Sequence, residues 1–200
     1  MGVAAAAGLT RAAPATAATE PRVLVLGDSL SAEYGLARGS GWVALLEKRL
    51  AARPSPYAVV NASVSGETTA GGRSRIADLL ARHRPRVVIV ELGGNDALRG
   101  LELGRTERNL REITQLSRRA GARVLLLGMM VPPNYGRQYS ERFAAIYERV
   151  AATEKAALVP FFLDGVADRI ELFQADRIHP GAQAQPILLG NVWPALEPLL

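Results

Sequence analysis

From residue 22 onward the chain alternates between two hydrophobic rhythms. Five short runs, at residues 23–26, 57–61, 87–91, 124–128 and more weakly 158–161, are nearly unbroken in Val, Leu, Ile and aromatic residues. Such runs predict strands buried on both faces of a parallel sheet, because a half-exposed strand would alternate apolar and polar positions. Between them, apolar residues recur at helical spacing. Residues 42–53 carry Trp42, Leu45, Leu46 and Leu50 on one face, and residues 105–120 carry Leu110, Ile113 and Leu116 or Ser117. Thr106 is the expected cap of that second helix, and Gly121 stands just past its end. Residues 140–157 repeat the pattern with Phe143, Ile146, Tyr147 and Val150, and a closing helix over 181–200 is expected to be irregular around Pro186 and Pro194. Strands and helices in this order predict an α/β sandwich with helices on both faces of the sheet.

Composition narrows the class. With 48% hydrophobic and 22% charged residues, the chain matches an ordinary globular domain, and no stretch approaches the length of a membrane span. Stable membrane insertion is therefore not expected. With no cysteine, disulfides, thiolate catalysis and cysteine-bound metals are excluded. The net charge of +5 comes mainly from arginines scattered among glutamates on predicted helix faces, without interleaved aromatics. That distribution fits a solvated surface better than a nucleic-acid footprint, and it leaves room for transient contact with anionic lipid head groups. The first 20 residues, MGVAAAAGLTRAAPATAATE, follow neither rhythm. They are expected to form a leader-like segment, altered in that no cation precedes the apolar patch and Arg11 interrupts it, or else a disordered tail. The folded domain is then 21–200.

In a parallel sheet, ligands bind beyond the carboxyl ends of the strands. Three loops there are rich in glycine and small polar residues: Gly27, Asp28 and Ser29 after the first run, NASVSGETT (61–69) after the second, and ELGGND (91–96) at the end of the third. Ser29 has two readings, a turn or helix cap, and a nucleophile held up by the sheet. Asn95 and Asp96 are likewise open to a capping role. A serine nucleophile needs a base. Of the two histidines, His83 lies at a charged helix end, whereas His179 lies in DRIHP with Asp176 three residues before it. A tight turn can fold that carboxylate against the imidazole, protonating one ring nitrogen and leaving the other to accept a proton. A surface Asp beside a capping His fits the same spacing. No metal or cofactor constellation stands out.

GDSLSAEYG around Ser29, NASVSGETT around Gly66, ELGGND around Asn95 and DRIHP around His179 resemble, in order and spacing, the four sequence blocks of the SGNH, or GDSL, hydrolases. VELGGNDALRG and PPNYGRQYSERFAAIY add a likeness to the bacterial periplasmic thioesterase I/lysophospholipase/arylesterase group, extending over residues 23–198. The resemblance implies a flavodoxin-like three-layer sandwich with a central parallel sheet of about five strands. It also implies cofactor-free and metal-free hydrolysis of acyl esters and thioesters, among them aryl esters, acyl-CoA and lysophospholipids, through an acyl-enzyme. By the same resemblance Ser29 is the nucleophile, His179 the base and acid, and Asp176 the residue that orients it. The oxyanion hole falls to the Ser29 and Gly66 N–H groups and the Asn95 amide, with Asp28 supporting the loop. A periplasmic or secreted location also follows. Glu33 departs from the glycine common at its position in this group, so the loop or the charge at the site mouth is expected to differ. Two rival functions share the fold: a carbohydrate deacetylase, and a non-enzymatic protein holding a phosphate-bearing ligand such as FMN in the Gly27 loop.

Overall fold

The computed structural model describes residues 20–200; the expected leader or tail lies outside them except for Glu20. Strand β1 (Arg22–Gly27) lies inside the sheet, with Val23, Leu24, Val25 and Leu26 fully buried. It pairs in parallel with β2 (Ala58–Asn61) on one side and β3 (Val87–Glu91) on the other. Beyond β3 follow β4 (Arg123–Leu127) and β5 (Ala157–Val159), giving five parallel strands in the order β2-β1-β3-β4-β5. The chain moves one way from β1 to β2 and the other way from β1 to β3. That reversal opens a crevice at the carboxyl end of β1. Register sets Gly27 opposite Glu91 there.

Two helical layers cover the sheet. Helix α1 (Trp42–Ala51) packs on α6 (Gln185–Leu196), while α2 (Thr69–His83), α4 (Leu103–Arg119) and α5 (Arg137–Glu154) pack in a row, and α3 (Gly94–Leu98) is a single turn after β3. Each long helix buries the stripe that its spacing predicts; in α4 this is Thr106, Asn109, Leu110, Ile113, Thr114 and Ser117. None of the described helices is long and apolar enough to cross a membrane.

The expected α/β sandwich is present, and several boundaries move for physical reasons. Helix α2 has no counterpart among the four expected helices, because its inward face offers only Thr69, Gly72, Ile76 and Leu80. Gly72 marks a close approach to the end of β3: a Cβ on it would lie 2.4 Å from Leu92 Cδ1, so Leu92 would have to shift to admit a side chain. Thr106 is not a cap. Helix α4 begins at Leu103 with Glu102 before it, and the Thr106 hydroxyl is buried and donates to Asp96 Oδ1 at 3.2 Å. Helix α5 starts before residue 140 and stops at Glu154, where Lys155 turns left-handed (φ 51°), so Ala157 belongs to β5. Strand β5 ends at Val159, before Pro160, which has no N–H to extend the ladder. The closing segment divides into two short 3-10 turns on either side of α6.

Candidate active site

The turn after β1 is shaped by what Gly27 lacks. A Cβ at Gly27 would come within 2.8 Å of Ser31 Cβ and 2.9 Å of Glu91 Oε2, so only glycine lets the chain fold back over the strand end. The Asp28 carbonyl accepts the Ser31 and Ala32 N–H groups, and its Oδ1 accepts the Leu30 N–H at 3.0 Å. Ser29 is thus held at the crest of a turn, well before α1 begins at Trp42, and it caps no helix.

His179 reaches Ser29 from the loop after β5. Asp176 Oδ1 accepts the backbone N–H groups of Ile178 (2.9 Å) and His179 (3.0 Å), which folds the carboxylate back so that Oδ2 meets His179 Nδ1 at 2.7 Å. Arg177, in the left-handed region (φ 56°), makes that reversal. The opposite ring nitrogen, Nε2, lies 2.9 Å from Ser29 Oγ across 150 positions of sequence. A carboxylate only accepts, so it selects the tautomer protonated at Nδ1 and leaves Nε2 to accept from the serine hydroxyl. The two backbone donors, then the imidazole, hold the Asp176 carboxyl down at about 2. The loop is tied down by the Gln174 N–H to His179 carbonyl bond at 2.8 Å, and the Gln174 amide donates to the Tyr34 carbonyl. The Tyr34 ring lies 4.4 Å from the imidazole, centroid to centroid. His83 is elsewhere: its carbonyl accepts from Arg22, at the amino end of β1.

Gly66 and Asn95 come to the same crevice. Gly66 has φ 78°, which suits glycine, and its carbonyl accepts from Arg99 at 2.9 Å. Among the described residues, neither the Ser29 N–H nor the Gly66 N–H has a hydrogen-bond acceptor. Asn95 does not cap α3; Gly93 occupies that position, and the Asn95 amide donates to Asp28 Oδ2 at 2.8 Å. One amide hydrogen is engaged and the other is available. Asp28 supports the turn and the amide together.

Behind these groups lies a buried polar network that the sequence blocks do not reveal. Asp96 accepts from the Thr69 N–H (2.8 Å), the Thr69 hydroxyl and the Thr106 hydroxyl, and Asn109 donates to the Thr69 hydroxyl at 3.0 Å. This joins the Gly66 loop to the Asn95 turn. Fully buried Glu91 accepts from the Asp28 N–H (3.2 Å) and the Ser31 hydroxyl (2.8 Å), and Trp42 Nε1 donates to Ser31 Oγ at 3.2 Å. The available signal was the acidic residue closing the VVIVE run, a polar group where the pattern calls for burial.

Glu33 bears on the loop, the first of the two differences expected of it. Its backbone is left-handed (φ 59°), which explains the glycine common at this position, but its carboxylate accepts the Gly39 and Gly41 N–H groups at 3.0 and 2.7 Å. It fastens the approach to α1. Among the described residues, no group of three or more His, Cys, Asp or Glu is arranged to hold a metal ion.

The chain is similar to known proteins over most of its length. Residues 25–186 match the model of the GDSL-like Lipase/Acylhydrolase family. Esterase TesA of Pseudomonas aeruginosa is 56% identical over 178 residues, covering 89% of each chain. Thioesterase 1/protease 1/lysophospholipase L1 of Escherichia coli K12 is 44% identical over 184 residues, covering 92% of this chain and 87% of that one. The crystal structure of TesA superposes with a TM-score of 0.87 at 55% identity, covering 90% of this chain and 99% of that one.

Proposed function

Because the chain belongs to the GDSL-like lipase/acylhydrolase family, we propose that the crevice above β1 and β3 hydrolyses acyl esters and thioesters through an acyl-Ser29 intermediate. The protein is a serine esterase/thioesterase of the esterase, thioesterase, arylesterase and lysophospholipase kind. The observation that carries the mechanism is the Asp176–His179–Ser29 relay, with contacts of 2.7 and 2.9 Å.

Ser29 Oγ attacks the acyl carbonyl as His179 Nε2 takes its proton, and Asp176 steadies the imidazolium. The carbonyl oxygen becomes an oxyanion that accepts from the Ser29 N–H, the Gly66 N–H and the free Asn95 amide hydrogen. Donors already fixed in place need no reorganisation as the charge develops. Collapse expels the alcohol or thiol, which takes the proton from His179. Water, deprotonated by the same imidazole, then releases the acid and restores Ser29.

The substrates are aryl esters, acyl-CoA and lysophospholipids. Large apolar side chains left exposed, including Tyr34, Val64, Leu98, Met130, Ile170 and Ile178, lie in the segments that follow strand ends, which suits an acyl chain or a passing lipid surface. The protein acts in the periplasm or outside the cell, in keeping with the leader-like composition of residues 1–20. A hydrolysis panel of p-nitrophenyl esters, acyl-CoAs, lysophospholipids and acetylated sugars, with Ser29→Ala as control, tests the reading. Turnover of acyl esters and thioesters that vanishes in the variant is expected. Turnover confined to acetylated sugars overturns the substrate class in favour of a deacetylase.

A further inference from the structure

Glu91 takes no part in the chemistry above, yet it is fully buried against the turn that carries the nucleophile. Its two oxygens are unequal. Oε2 accepts from the Asp28 N–H and the Ser31 hydroxyl, whereas Oε1 is buried with no donor to it. An ionised carboxylate there would leave a charged oxygen unpartnered in the interior, an arrangement proteins avoid by neutralising the group. A proton on Oε1 turns the orphan into a donor. The neighbouring acceptor is the carboxylate of Asp28, the residue whose N–H already binds Oε2; that carboxylate takes the Leu30 N–H and the Asn95 amide.

We propose that Glu91 is a neutral carboxylic acid that donates its proton to an ionised Asp28, and that this pair is the positioning device for the Asn95 amide. The assignment deepens the oxyanion reading of Asn95 and rests on it. Two carboxyls in contact do not both ionise, so the question is which holds the proton. Burial, reinforced by the Asp28 charge, pushes Glu91 well above the usual carboxyl range. Burial also raises Asp28, but the Leu30 N–H and the Asn95 amide oppose it and favour its charge. The other titratable groups facing the pair are Tyr147 from α5, Asp96 from α3 and His179 across the crevice.

Location of the proton decides which way Asn95 points. An ionised Asp28 only accepts, so Asn95 must turn its NH2 toward it, and the second hydrogen is then presented to the oxyanion. A protonated Asp28 would instead donate, inviting the amide to flip and offer its carbonyl oxygen to the site. The Glu91 proton therefore keeps a donor, and not an acceptor, in the oxyanion hole.

Isotope-edited infrared spectroscopy at neutral pH, comparing unlabelled protein with protein carrying 13C-carboxyl glutamate, reads the proton without any variant. A glutamic-acid carbonyl band that shifts with the label is expected; its absence overturns the assignment even if hydrolysis proceeds as proposed. If the band is present but no ester is turned over, the proton assignment stands and the hydrolase reading fails. In turnover, Glu91→Leu is expected to lower kcat by roughly ten- to a hundredfold, the scale of a misplaced catalytic group, with KM little changed. Glu91→Gln, which keeps one acceptor and one donor, should recover most of that loss. In the Glu91→Leu background, Asn95→Ala should cost far less than it does alone, because the amide is already misdirected. Equal impairment of the Gln and Leu variants, or a full Asn95→Ala penalty in both backgrounds, contradicts the positioning role.

Discussion

The Asp176–His179 loop and the wall formed by Ser29, Gly66 and Asn95 meet at one crevice but are built differently. The loop is partly open to solvent, with side chains 36% and 17% exposed, and the contact that poises its base spans only three positions. The wall is backed by buried groups that join positions 10 to 67 residues apart. Each design suits the role proposed for it. A base that takes and returns protons must change charge every cycle, which partial exposure makes cheap. Oxyanion donors are useful only if they do not move, and the buried bonds made by Asp96, Asp28 and Glu91 supply that rigidity.

Breaking the relay should have the largest effect. Ser29→Ala is expected to lower kcat by on the order of 10⁶ without unfolding the protein, and His179→Ala by a similar amount. The double variant should be no worse than either, whereas His83→Ala should match wild type. Steady-state kinetics alongside circular dichroism checks both points. Loss in the His83 variant with retention in the His179 variant would reassign the base.

Asp176→Asn keeps the shape of the loop but removes the charge that selects the tautomer. A loss of roughly 10⁴ in kcat is expected. The carboxyl is depressed from 3.8 to about 2, so its hydrogen bonds contribute stability above the ordinary value and lose it as pH falls through about 2. Wild type should accordingly lose more stability than Asp176→Asn between about pH 4 and pH 2. Parallel acid-denaturation curves for the two proteins would contradict this.

The wall should fail more gently. Asn95→Ala is expected to cost 10²–10³ in kcat, on the order seen for one oxyanion donor, with little change in KM. Asn95→Asp should do no better, since it sets a second acceptor beside Asp28. Wild-type kcat in the Asp variant removes Asn95 from the oxyanion hole.

Glu33→Gly should have the smallest effect, because relief of a left-handed backbone offsets loss of the bonds to Gly39 and Gly41. A change in melting temperature of a few degrees at most is expected, corresponding to about 1 kcal/mol or less, with an unchanged acyl-chain profile. An altered profile would return Glu33 to the site mouth.

The same contrast governs what the sequence discloses. Unbroken runs such as VLVL and VVIV announce parallel strands because burial on both faces leaves no room for alternation. Asp176 and His179 are legible because their contact is local, three positions apart. Thr69, Asp96, Thr106 and Asn109 are not, because nothing in a linear pattern says that a threonine on α4 will meet an aspartate after β3. Thr106 looked like a cap for that reason. Helix α2 is not legible because its inward face has only Thr69, Gly72, Ile76 and Leu80, too few large apolar residues to mark a helix.

Labelling with a serine-directed fluorophosphonate, followed by peptide mapping, tests the central claim most directly. One equivalent of phosphonate on the Ser29 peptide is expected, with hydrolysis abolished in proportion, slow labelling in His179→Ala and none in Ser29→Ala. A protein that is fully inhibited while Ser29 stays unmodified, or a Ser29→Ala variant that still takes up the probe and turns over ester, would contradict it.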